Sequence, residues 1–109
     1  MTLGERKKRR EVRKPRRLFV RYGHPEPSHQ AVAQRITTKG FFLSTNGAIY
    51  AVGSPIAVEI PGPAETWMLR GVVRHAFKVP QSLAGFTKPG MGVEFTSIPD
   101  PCRAFLESL

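Results

Sequence analysis

From residue 18 onward, apolar and polar residues alternate in short stretches broken by prolines and glycines. "LFVRY" (18–22) is a compact apolar run and predicts a buried first strand. "GHPEPSH" (23–29) predicts a loop, because Pro25 and Pro27 cannot donate to a ladder. "QAVAQRI" and "FFLS" predict two strands joined by the turn "TTKG", where Gly40 is free to take a positive φ. "PIAVEIP" has the clearest period of two, with Ile56, Val58 and Ile60 on one face and Ala57 and Glu59 on the other. After the tight connection "PGPAE", "WMLRGVVRHAF" predicts a long strand with a bulge or bend at Gly71. A punctuated loop covers 78–90, and "MGVEFTSI" predicts a last strand with Met91, Val93 and Phe95 inward and Glu94 outward.

"PDPCRAFLESL" changes the period. It predicts a terminal helix over about 100–109, with Asp100 as its cap, Pro101 at the first helical position, and Phe105 and Leu109 on one face. Six short strands separated by turn residues predict an all-β fold, a small antiparallel barrel or sandwich with that helix closing one end. The chain has no internal repeat. Its 109 residues are enough for one domain with a real core and too few for two.

Before residue 18 the pattern disappears. "KKRREVRKPRR" (7–17) is almost entirely cationic, and residues 1–21 carry ten of the 17 Lys and Arg against only Glu5 and Glu11, a net +8. The rest of the chain sums to +1, so the basic character belongs to residues 1–17, a self-repelling arm predicted to be mobile without a ligand, ahead of the domain at 18–109. Such an arm must meet an anion. No apolar stretch is long enough for a membrane span or follows the charges as a secretory signal would require. Cys102 is the one cysteine, so it can neither form an internal disulfide nor anchor a zinc site alone. These features predict a reduced, cytoplasmic, metal-free domain without a cofactor.

An enzyme reading lacks support. Asp100 is the only aspartate, the body carboxylates are scattered, and no glycine-rich phosphate loop opens a helix. His24, His29 and His75 share no metal-like spacing. Cys102 lies near a helix N-terminus, where its thiol pKa would be lowered, yet no base stands at a readable spacing. Trp67 and the phenylalanines read as core or rim, while Phe77 and Phe86 lie in or beside a loop that could present them to a partner.

Several residues together resemble a known family. An arginine-rich segment leads into the first strand, a turn carries a defined glycine before "FFL", and "GMGVEF" lies near the C-terminus. In that order they are similar to the PilZ domain, over roughly residues 9 to 109. The resemblance implies a six-stranded antiparallel barrel that acts in bacteria as a receptor for cyclic di-GMP, the nucleotide often binding as a stacked pair. Members carry RxxxR ahead of the first strand and [D/N]xSxxG between the next two. Arg13 and Arg17 fit the first element, with Arg16 beside them, and Arg9 and Arg13 fit the same spacing. In "RITTKG" the second element falls on Arg35, Thr37 and Gly40: the glycine matches, threonine keeps the hydroxyl, and Arg35 departs from the pattern.

The chemistry fits the ligand. Guanidinium grips phosphate bidentately, reads guanine O6 and N7 with the same fork, and stacks on a purine. An arm carrying two arginines four apart could fold over the barrel and become ordered on binding. Arg35 is the exception, since arginine has no acceptor for guanine N1–H and N2–H₂. The resemblance therefore implies a stand-alone receptor or adaptor that signals through an unidentified protein effector. Two alternatives stand beside it: a degenerate PilZ-like adaptor that does not bind the nucleotide, and a nucleic-acid binder that uses its basic arm.

Overall fold

The computed structural model describes residues 16–83, 85 and 87–109. Six strands form one closed antiparallel barrel: β1 (Arg17–Gly23), β2 (His29–Gln34), β3 (Gly40–Ser44), β4 (Pro55–Pro61), β5 (Thr66–Phe77) and β6 (Gly90–Ser97). Their order around the barrel is β1-β2-β3-β6-β5-β4, which brings the last strand between β3 and β5. A 3₁₀ turn (Gln81–Leu83) lies in the loop before β6, and helix α1 (Asp100–Glu107) ends the chain. Closure leaves no unpaired edge, which suits a sheet this small.

Alternation builds the interior. Val20 and Tyr22 of β1, Ala31 and Ala33 of β2, Phe41 and Leu43 of β3, and Ile56, Val58 and Ile60 of β4 point inward and are buried. Leu69, Val73, Met91 and Val93 complete the wall, with Phe95 half-buried against it. Helix α1 adds Cys102 and Leu106 to the same core, while Phe105 packs on the Trp67 ring at 5.4 Å. The predicted six-stranded barrel with a terminal helix is the observed fold.

Several local expectations are corrected. β1 is buried on one face only: Phe19 points outward and is 81% exposed. Ala57 does lie on the outer face of β4, but it is buried there. It pairs with Gly23, where a Cβ would lie 2.0 Å from the Glu26 carbonyl oxygen, so the 24–28 loop folds closely over that end of β1. Asp100 does not cap α1: Pro99 is the N-cap residue, and Asp100 stands in the first turn, where a carboxylate still suits the helix dipole. The Gly71 bulge is present, as the register against β6 shifts between Arg70 and Gly71, and a Cβ there would lie 2.6 Å from the Glu94 carbonyl oxygen. Among the described residues no helix is long and apolar enough to cross a membrane.

Two acidic protons are held in the interior. Tyr22 is fully buried; its hydroxyl donates to the Ala48 carbonyl at 2.6 Å and lies 3.1 Å from Thr45 Oγ1. Thr45 in turn donates to the Gln30 carbonyl and accepts from the Gly47 N–H, so this network ties the 45–48 loop to the barrel wall. Burial pushes the Tyr22 hydroxyl above its ordinary 10.0, against a lowering contribution from Thr45. Burial also pushes the Cys102 thiol above its ordinary 9.0, so the helix N-terminus does not activate it.

These shifts fix the sign of an alkaline effect. The folded chain keeps protons that the unfolded chain releases, so the contribution to stability is complete below about pH 9 and lost as pH rises further. The urea midpoint is expected to fall between about pH 8 and pH 10, less steeply in Cys102→Ala. In the same experiment Cys102 is expected to resist a thiol reagent until denaturant opens the barrel. Fast labelling of the native chain would contradict this packing.

Candidate functional site

The site is built where β2 turns into β3. β2 ends at Gln34, two residues short of the predicted strand, because Arg35 has a left-handed backbone (φ 54°). That conformation turns the chain out of the ladder. Thr37 then closes the turn. Its hydroxyl donates to the Gly40 carbonyl at 3.0 Å and accepts the N–H groups of Lys39 and Gly40, each at 3.1 Å. Thr37 N–H also donates to the Gly40 carbonyl. The hydroxyl that the motif requires is therefore engaged in holding the turn.

Gly40 does not take a positive φ, which corrects the expectation for this turn; the left-handed residue is Arg35. Glycine is required at 40 for space. A Cβ there would lie 2.2 Å from the Val93 carbonyl oxygen, so only glycine lets β3 begin this close to β6.

Strand register then lays out the outer face. Arg17 pairs with Gln34, Gln34 with Phe42, Phe42 with Gly92, and Gly92 with His75. All five stand on the outward side by alternation. This row runs from the root of the basic segment across β2 and β3 to β6 and β5. Beside it an open depression of about 330 Å³ is lined by Arg35, Thr37, Lys39, Gly40, Phe42, Arg74, His75 and Glu94, among others. The Arg35 guanidinium carbon lies 5.8 Å from the Phe42 ring centroid, a cation–π arrangement that leaves its charge at the surface. Arg74 Nε donates to Glu94 Oε1, and both side chains are about half exposed, so the pair adds under about 1 kcal/mol to the fold.

A second hollow, of about 300 Å³, lies on the other side of the turn and is lined by Arg16, Ile36, Thr37, Thr38, Leu106, Glu107 and Leu109. Arg16 lines this hollow, and Arg17 stands opposite Gln34, the residue just before Arg35. Of the residues expected to form the site, Arg16, Arg17, Arg35, Thr37 and Gly40 come together at this one end of β2. Arg9 and Arg13 lie outside the described residues, as does Phe86. Phe77 is exposed at the end of β5, away from the turn in sequence.

Reading the sequence missed Phe42, Arg74, His75 and the placement of Glu94. Phe42 was legible in principle: with Phe41 and Leu43 inward, alternation turns it outward. Arg74 and His75 were not, because only the pairing of β6 with β5, shifted between Val73 and His75, brings them to Gly92 and Glu94. His29, by contrast, sits in an aromatic group with Tyr22 (5.3 Å) and Tyr50 (6.3 Å).

A scan against protein-family models finds no match, and a search of curated proteins finds none either. Among solved structures the barrel is similar to that of the Bacillus subtilis inhibitor of motility MotI/DgrA, with a TM-score of 0.64 and 21% sequence identity. The likeness covers 85% of this chain and 44% of that protein, so this chain corresponds to less than half of it. At that level of identity the comparison speaks for the fold. Together with the closed six-stranded order, it shows that this chain is a PilZ-like β-barrel.

Proposed function

We propose that the chain is a receptor for cyclic di-GMP, and that its arginine-rich N-terminal segment closes on the nucleotide over the outer face of β2, β3 and β6. One observation carries this reading: Arg17 stands opposite Gln34, Gln34 stands opposite Phe42, and Phe42 lines a depression together with Arg35 and Glu94. Arg17, with Arg13 four residues earlier, supplies guanidinium groups for the phosphates from above. Arg35 supplies another from the barrel side, and Phe42 gives an apolar, stackable surface beneath.

The acceptor that Arg35 lacks is present elsewhere on the same surface. The Glu94 carboxylate lines the depression from β6 and can accept guanine N1–H and N2–H₂. In this arrangement the acceptor has moved from the turn to the neighbouring strand, and Arg35 takes a phosphate or the O6/N7 edge. Ordering of the segment on binding would present a new surface to a protein effector. A similar fold in an inhibitor of motility supports that adaptor role.

The test is calorimetric titration with cyclic di-GMP and, as a control, cyclic di-AMP. The parent chain is expected to bind the guanine nucleotide saturably and to prefer it. Glu94→Gln keeps the side chain's size but replaces one carboxylate oxygen with a donor, so the preference for guanine over adenine is expected to fall about tenfold or more. Arg35→Asp is expected to weaken binding, because it removes a cation from the phosphate side. Stronger binding in Arg35→Asp would overturn the role given to Arg35. Absence of binding by the parent would favour a PilZ-like adaptor that works by protein contact alone.

A further inference from the structure

On the outer face of β1 the side chains alternate Arg17, Phe19, Arg21, leading away from the turn. Phe19 is 81% exposed, the most exposed large apolar side chain among the described residues. On β2 the outward partners are Gln34, Val32 and Gln30, each directly opposite one of these three. Beside Phe19 lies a hollow of about 360 Å³ whose polar lining comes from Arg21, Gln30, Glu59 and Thr66, with Glu59 of β4 directly opposite Arg21.

A protein-docking site is built around a continuous apolar centre depleted of charge. This surface is not depleted of charge: each outward apolar side chain on β1 and β2 stands between guanidinium or carboxamide groups, and the hollow beside them also holds the Glu59 carboxylate. A ring exposed between cations matches a different partner, one with a flat π-face and a phosphate on either side. Arg17 and Arg21 are about 13 Å apart along the strand, leaving Phe19 free to carry a base between two phosphate contacts. Gln30 can meet a base edge with both donor and acceptor. The net +8 of residues 1–21 sets the sign of the partner.

We propose that the outer face of β1 and β2 binds single-stranded nucleic acid, with a base stacked on Phe19 in the adjoining hollow and a phosphate on Arg21. This surface is distinct from the depression at Arg35 and Phe42, although Arg17 belongs to both outward rows. A strand and the cyclic nucleotide would therefore compete for the same N-terminal cations.

Fluorescence anisotropy of the full chain with a labelled oligouridylate of about twelve nucleotides tests this, read between about 50 mM and 200 mM salt. The parent is expected to bind, and Phe19→Ala to bind about tenfold more weakly with an unchanged salt dependence, since stacking releases no counterions. Arg21→Ala is expected to make the log–log salt slope shallower by about 0.7, the share of one phosphate on a single strand. Both positions are exposed, so neither change threatens the fold; Leu83→Ala, at another exposed apolar position, is expected to bind like the parent. Equal binding by the parent, Phe19→Ala and Arg21→Ala would place all contacts on the cationic leader and overturn the proposal. No binding by the parent at the lower salt would overturn it too, and would leave Phe19 as a contact for a protein.

Discussion

Arg17→Ala is expected to weaken cyclic di-GMP binding by roughly tenfold to a hundredfold, the loss of one charge-assisted contact worth about 1.5–3 kcal/mol. Arg17 is the first residue of β1; it is exposed and stands directly opposite Gln34 at the β2 end of the outer row. Its neighbour Leu18, and not Arg17, is the residue at this end of β1 that packs against the core. The barrel should keep its thermal midpoint within what a surface change produces, about 0.5 kcal/mol. Calorimetry checks the first statement and thermal unfolding the second. Arg13→Ala, one RxxxR spacing earlier, is expected to act in the same direction. A binding loss in Arg17→Ala without a matching loss of stability separates a ligand contact from a structural one. Unchanged affinity in both variants would remove the N-terminal arginines from the site.

Gly40→Ala is expected to have the largest effect on stability, about 3 kcal/mol at the upper end of what overpacking costs. The added methyl would lie 2.2 Å from the Val93 carbonyl oxygen, and that atom belongs to backbone. No rotamer relieves the overlap; β3 must move away from β6. The pairing that would open includes Gly40 with Glu94 and Phe41 with Val93, and the three hydrogen bonds between Thr37 and Gly40 would shift with it. Gly53→Ala provides the contrast. Gly53 has φ 94° with open space around it, so alanine there meets backbone strain of about 1–2 kcal/mol and no collision. Urea unfolding of the two variants is expected to rank Gly40→Ala below Gly53→Ala. The reverse order would mean that β3 and β6 approach less closely than the barrel shows.

The strands were legible because their apolar residues keep a period of two, and turn residues separate them at short intervals. Ile56, Val58 and Ile60 fall inward as their alternation requires, and Met91 and Val93 do the same on β6. The first strand misled for a physical reason. "LFVRY" reads as a continuous apolar run, yet Phe19 is outward because Leu18 and Val20 face the interior. Pairing decides the face of such a residue, and pairing is not local. The same limit hid the site. Arg35, Thr37 and Gly40 are close in sequence and could be found together, whereas Phe42, Glu94 and His75 meet only through the β3–β6–β5 ladder. Gly40 shows a third kind of limit. The sequence marks a glycine in a turn and suggests a left-handed backbone; what demands it is a carbonyl on a strand more than fifty residues later. The left-handed role had passed to Arg35, where no pattern would look for it.

One titration decides directly whether the surface between Arg17 and Glu94 takes up a guanine dinucleotide. Cyclic di-GMP added to the full chain in a calorimeter is predicted to give saturable heat at a fixed stoichiometry, reduced in Arg17→Ala and discriminating poorly against cyclic di-AMP in Glu94→Gln. A flat trace from the parent chain with ligand carried to about 1 mM would contradict it.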